Sequence, residues 1–141
     1  MAKSLKTLGR IQKFRIDEQR KLLAEKMTEE DNVLSDINNL IAKYQAEKEF
    51  AAGNPNIGDF GAYTKRYLKI KQFLEEKLAQ IRQEIEKIRD EISDMFKEQK
   101  TFEIQERNRK DQERHEFEQK EQKLLDEIGT NAYIKNHDNQ E

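Results

Sequence analysis

The sequence predicts an all-α fold: a long antiparallel two-helix coiled-coil hairpin whose second helix is the longer and overhangs the first. Three observations carry that prediction. Charged residues make up 40% of the chain and hydrophobic ones 34%, with no Trp and Val33 as the sole valine. A chain of this composition with a seven-residue period belongs to long helices and not to a globule. The period itself is explicit: Phe60, Tyr67, Leu74, Ile81, Ile88, Met95 and Phe102 stand seven apart without interruption. Finally, one short stretch, Ala51-Ala-Gly-Asn-Pro-Asn-Ile-Gly-Asp-Phe60, holds the only proline and two glycines. It divides the chain into two helical arms.

Helix one is expected over about residues 4–52, with Ser4 as N-cap. Its apolar rows are Ile16, Leu23, Ile37, Tyr44 and Ala51 on one side and Met27, Leu34 and Ile41 on the other. Glu30 interrupts the first row, either as a solvated edge or as a polar, register-setting residue in the seam. Before Ile16, the residues Leu5, Leu8, Ile11 and Phe14 stand three apart. That spacing drifts off the heptad row, so this end is expected to splay.

Residues 53–59 form the loop, with Asp59 or Asn56 as the new N-cap. A short loop between long helices makes an antiparallel hairpin. Folding about Pro55 sets Tyr44 near Arg66–Tyr67, Ile37 near Phe73–Leu74 and Leu23 near Ile88, so apolar rows meet apolar rows. Helix two spans about 60–128. Beside its ladder runs a companion row, first Tyr63 and Ile70, then shifted by one as Leu78, Ile85 and Ile92. Such a shift locally changes a supercoil. From Gln105 to Lys123 the charges alternate at i,i+4 (Glu103–Arg107, Glu106–Lys110, Glu116–Lys120), a pattern that supports a solvated helix. Leu124, Leu125 and Ile128 restore an apolar patch. Gly129 is the expected C-cap, and 129–141 the expected flexible tail.

Composition also excludes function classes. The 27 basic and 29 acidic side chains leave a net charge of −2 with no basic stripe, which argues against nucleic acid. No cysteine is present, so disulfide and thiolate chemistry are absent, as suits a reducing compartment. The first residues lack the apolar core of a signal peptide, and no run approaches the roughly 20 apolar residues of a membrane span. A soluble, cytoplasmic protein is expected. His115 and His137 stand far apart, and no metal-ligand spacing, phosphate loop or nucleophile elbow occurs. Carboxylates abound, but acid–base work needs them desolvated in a pocket, and a two-helix hairpin offers none. No catalytic, cofactor-binding or metal-binding residue is expected, and no cofactor.

The remaining features are apolar side chains off the seam. Phe50, Phe73 and Phe96 lie beside the main rows; Phe73 and Phe96 read most simply as widening the seam. Helix one cannot reach Phe117, Leu124, Leu125 and Ile128, so these point to another protein.

The block Glu121-Gln-Lys-Leu-Leu-Asp-Glu-Ile128 resembles the E-Q-K-x-x-D-E signature that closes the second helix of the flagellar FliJ family. Leu40-Ile-Ala-Lys-Tyr-Gln-Ala-Glu-Lys-Glu49 is similar to that family's first-helix end. A Gly/Asn loop and an aromatic opening of helix two (Phe60, Tyr63, Tyr67) follow in the same layout, and Lys3-Ser-Leu-Lys-Thr-Leu-Gly-Arg-Ile11 looks like its N-termini. The resemblance covers roughly Leu5 to Ile128. It implies a non-enzymatic, cytoplasmic part of the flagellar type III export apparatus, peripheral at the inner-membrane export gate. By the same resemblance, the joined chain ends would enter the hexameric export ATPase, placing Leu5, Leu8, Phe117, Leu124, Leu125 and Ile128 at that ring. The export-gate membrane protein would meet the early second helix, around Tyr67, Ile70, Phe73 and Leu74. Cargo-free export chaperones are the third implied partner. Two other readings stand beside the stalk: an escort for export substrates or their chaperones, and a structural coiled-coil spacer. The sequence leaves open whether the free protein is a lone hairpin or self-associates.

Overall fold

In the computed structural model the chain forms two helices, α1 (Ala2–Gly53, 52 residues) and α2 (Phe60–Asp138, 79 residues), packed together as a hairpin. The structure describes residues 2–138, with side chains described from 6 to 137.

The reversal is made by local chemistry. The Asn54 side-chain amide donates to the Phe50 carbonyl (3.0 Å), and its backbone N–H donates to Ala51 O (3.3 Å). Both satisfy carbonyls that the end of α1 leaves orphaned. Ile57 N–H then donates to Asn54 O at 3.1 Å. Gly58 has φ of 74°, the left-handed region in which a Cβ is penalised. Asp59 is the N-cap of α2: its Oδ1 accepts from Ala62 N–H at 3.1 Å and its carbonyl from Tyr63 N–H at 3.2 Å.

Two boundaries differ from the sequence reading. α1 already includes Ser4, so Ser4 is not its N-cap. α2 runs through Gly129 and continues to Asp138, which places helix where a tail was expected. A C-capping glycine needs positive φ, and Gly58 is the one described residue that has it. Glycine inside a helix costs about 1 kcal/mol relative to alanine. That cost is local, and the helix carries on with Tyr133 stacked on His137 (4.7 Å) and with Lys135 and His137 suited to the C-terminal dipole.

The chain divides into two compact units, Arg10–Phe96 and a second made of Met1–Gly9 with Lys97–Glu141. The first unit holds every described buried apolar side chain: Ile16, Val33, Ile37, Tyr67, Leu78, Ile81, Ile85 and Ile88. Val33, Ile37, Leu78, Ile81 and Ile85 form one cluster, against which Leu23, Leu34, Ile41 and Leu74 pack. Ile92 and Met95 are half-buried further along α2.

The inward face of each arm is rotated slightly from the plain heptad rows. On α1, Val33 is 4% exposed while Met27 is 41% exposed, so the row through Lys26, Val33 and Leu40 turns inward. On α2, Ile70 is 49% exposed, because the companion row already passes through the half-buried stem of Lys71 before Leu78, Ile85 and Ile92.

Charges flank this seam across the two helices. Lys26 Nζ meets Glu84 at 2.9 Å, and Arg82 Nε meets Glu30 at 3.4 Å. The hydrogen bond to Glu84 raises the Lys26 pKa above its ordinary 10.5, and the same bond lowers Glu84 below its ordinary 4.5. Arg20 lies over the Phe96 ring at 5.1 Å, so Phe96 is covered by a cation from α1.

Candidate protein-interaction site

Within the first unit, the loop end is organised around Tyr44. Its ring stacks on Tyr67 at 3.9 Å and faces Phe60 and Tyr63 at 5.6 and 6.2 Å. Its hydroxyl and that of Thr64 share a hydrogen bond of 3.2 Å. The spacing that lets one ring meet three is helical: Phe60, Tyr63, Thr64 and Tyr67 stand at i, i+3, i+4 and i+7 on one face of α2. Outside this cluster Phe50 and Ile57 are 53% and 62% exposed, and they line a shallow hollow with Glu47, Asp59 and Arg66.

The four residues that the resemblance assigns to the gate divide into two pairs. Tyr67 is buried and Leu74 is half-buried against the core cluster. Ile70 and Phe73 are exposed, Phe73 at 64%. Side chains held in the seam are unavailable to a partner, so only Ile70 and Phe73 of the four present a surface. Leu68, also exposed on this stretch of α2, was not singled out from the sequence.

In the second unit, Phe102, Glu106 and Arg109 are half-buried, and from Lys110 to His137 every described side chain is exposed. The helix surface there is laced locally. Arg109 bonds Glu113 at 2.8 Å and Lys110 pairs with Glu106 at 3.6 Å. Gln112 donates to Glu116 at 3.5 Å and Gln122 to Asp126 at 3.1 Å. Phe117, Leu124 and Ile128 follow one another at i, i+7 and i+11, with Leu125 adjoining, so they share one face of α2. Each is more than half exposed. Leu8 is also exposed, and Leu5 lies outside the residues whose side chains are described. Sequence reasoning missed Tyr133 and Ile134, which are exposed on the same helix past Gly129. Reading Gly129 as a stop concealed them.

Among the described residues no group of three or more His, Asp or Glu side chains is placed to hold a metal ion. No helix of the described residues is long and apolar enough to cross a membrane. The arrangement therefore offers stiff helical surfaces with apolar side chains at defined positions.

No match emerged among curated proteins or among solved structures. The family model described as "Flagellar FliJ protein" matches residues 1–138. That span takes in both helices and the loop between them. The chain belongs to the flagellar FliJ family, and is thus a non-enzymatic component of the flagellar export apparatus.

Proposed function

We propose that the chain acts as a stalk for the hexameric export ATPase, promoting its assembly and turnover and coupling it to the export gate. One observation carries the reading: the exposed face of Phe117, Leu124, Leu125 and Ile128 on a stretch of α2 where every described side chain is exposed. Apolar side chains presented in register on a charged helix are the material of helix-in-groove recognition. A hexamer would draw its asymmetry from such a rod by contact alone, with no chemistry supplied by the rod. Leu5 and Leu8 belong to the same proposed contact. At the gate the proposal narrows to Ile70 and Phe73, since Tyr67 and Leu74 are occupied within the hairpin. Cargo-free export chaperones remain proposed partners, and the proposed location is cytoplasmic, at the inner-membrane gate.

The test is ATP turnover and ring formation of the cognate export ATPase with the intact chain and with a Leu124→Glu, Ile128→Glu variant. The intact chain is expected to raise both and the variant to raise neither. An ATPase equally indifferent to both would overturn the stalk reading.

A further inference from the structure

The cross-helix charges of the hairpin have a property that depends on direction. In the observed register Lys26 meets Glu84 and Glu30 meets Arg82. Seven residues further along α2 from Glu84 and Arg82 stand Glu91 and Arg89, which repeat both signs. Seven residues back stand Lys77 and Glu75, which reverse both. A slip of one heptad toward the C-terminal end of α2 thus re-forms both ion pairs, and a slip the other way sets like charges against each other.

The apolar seam permits the same slip. Leu74, Leu78, Ile81 and Ile85, which pack with Val33 and Ile37, would be replaced by Ile81, Ile85, Ile88 and Ile92. Every replacement is a β-branched or branched aliphatic side chain of similar volume, a change that cores tolerate. Away from the loop Arg20 would exchange the Phe96 ring for Glu103, and the loop end discriminates most. There Tyr44 would exchange Tyr67 for Leu74, Tyr63 for Ile70 and the hydroxyl of Thr64 for Lys71, and of its three ring neighbours would keep one, Tyr67 in the place of Phe60. Ile70, 49% exposed in the observed register, would take the place beside Tyr44 that Tyr63 now holds.

We propose that the hairpin possesses a second register, one heptad further along α2, and that the aromatic cluster around Tyr44 holds it in the first. The slip moves one helix past the other by roughly 10 Å, at about 1.5 Å per residue. It requires the Asp59 cap to open and the turns of α2 from Phe60 to Arg66 to unwind into the loop. The observed register is favoured by the ring stack, the Tyr44–Thr64 bond and that cap together. Weakening the stack shifts the population toward the second register. This device is independent of which partner the apolar face of α2 binds.

The chain has no cysteine, so engineered pairs report cleanly. Three full-length variants carry Lys26→Cys with Glu84→Cys, with Glu91→Cys or with Lys77→Cys. Each is treated at high dilution with a short thiol-to-thiol crosslinker, and the intramolecular product is read by mass. In the otherwise unchanged chain the 26/84 pair is expected to give the main product. Adding Tyr44→Leu removes the rings and the hydroxyl while keeping an apolar, helix-forming side chain. It should raise the 26/91 yield several-fold and leave 26/77 at background. Adding Arg89→Glu as well, which places like charge on Glu30 only in the second register, should return 26/91 to background. A 26/91 yield no higher than 26/77 in both backgrounds overturns the proposal, as does a 26/91 yield indifferent to Arg89→Glu.

Discussion

At the scale of single residues, the same apolar side chain has opposite value in the two parts of α2. Ile85 is 4% exposed in the core cluster, whereas Leu125 is 61% exposed with no seam above it. Truncating a buried Ile removes its transfer free energy and leaves a cavity, at a cost of about 2–5 kcal/mol. Truncating an exposed side chain away from such features stays within about 0.5 kcal/mol. Ile85→Ala should therefore lower the urea midpoint strongly and Leu125→Ala hardly at all. Comparable losses would mean that Leu125 is covered in the free protein. Val33 shows where sequence reasoning stopped at this scale. Two heptad rows establish that a seam exists, but not the rotation of the helix about its own axis. That rotation buries Val33 and exposes Met27, and it is decided by packing against α2.

At the scale of elements, the reversal between the helices rests on two residues with separable roles. Gly58 supplies the left-handed backbone, and nothing lies within 4 Å of where a Cβ would stand. Gly58→Ala should thus cost about 1–2 kcal/mol through backbone strain alone. Asp59→Ala removes a cap worth about 0.5–2 kcal/mol. Thermal melts of the two variants should show losses of similar size, and the Gly58 loss should vanish with a D-alanine at that position. The turn was legible in the sequence because Gly, Pro, Asn and Asp punctuate backbone whatever surrounds them. The far end of α2 was not, because Gly129 carries the same local signal and the helix nonetheless runs on to Asp138. Tyr133 and Ile134 were lost from view with it.

At the scale of the whole molecule, stability is concentrated in one unit. All the described buried apolar residues fall in Arg10–Phe96, and none falls between Lys97 and His137. Helices without an apolar partner rest on propensity and i,i+4 pairs worth a few tenths of a kcal/mol each, so they open locally. Hydrogen exchange followed by mass spectrometry should show slow amides around Ile37 and Ile81 and markedly faster ones from Lys110 to His137. Uniform protection would mean that self-association covers α2. The hairpin was legible from sequence because one period and one turn specify it. The proposed interaction surface was legible only as apolar residues left over, since no seam of the hairpin covers them.

One feature of the loop end also sets how the molecule reports on itself. With four tyrosines and no tryptophan, its near-ultraviolet absorption comes almost wholly from phenol rings. Tyr44, Tyr63 and Tyr67 lie in one stack, while Tyr133 sits apart on His137. Rings coupled at such short range give a chiral optical signal that isolated phenols lack. The protein thus carries an intrinsic optical probe of its turn, readable without any label while a partner is added.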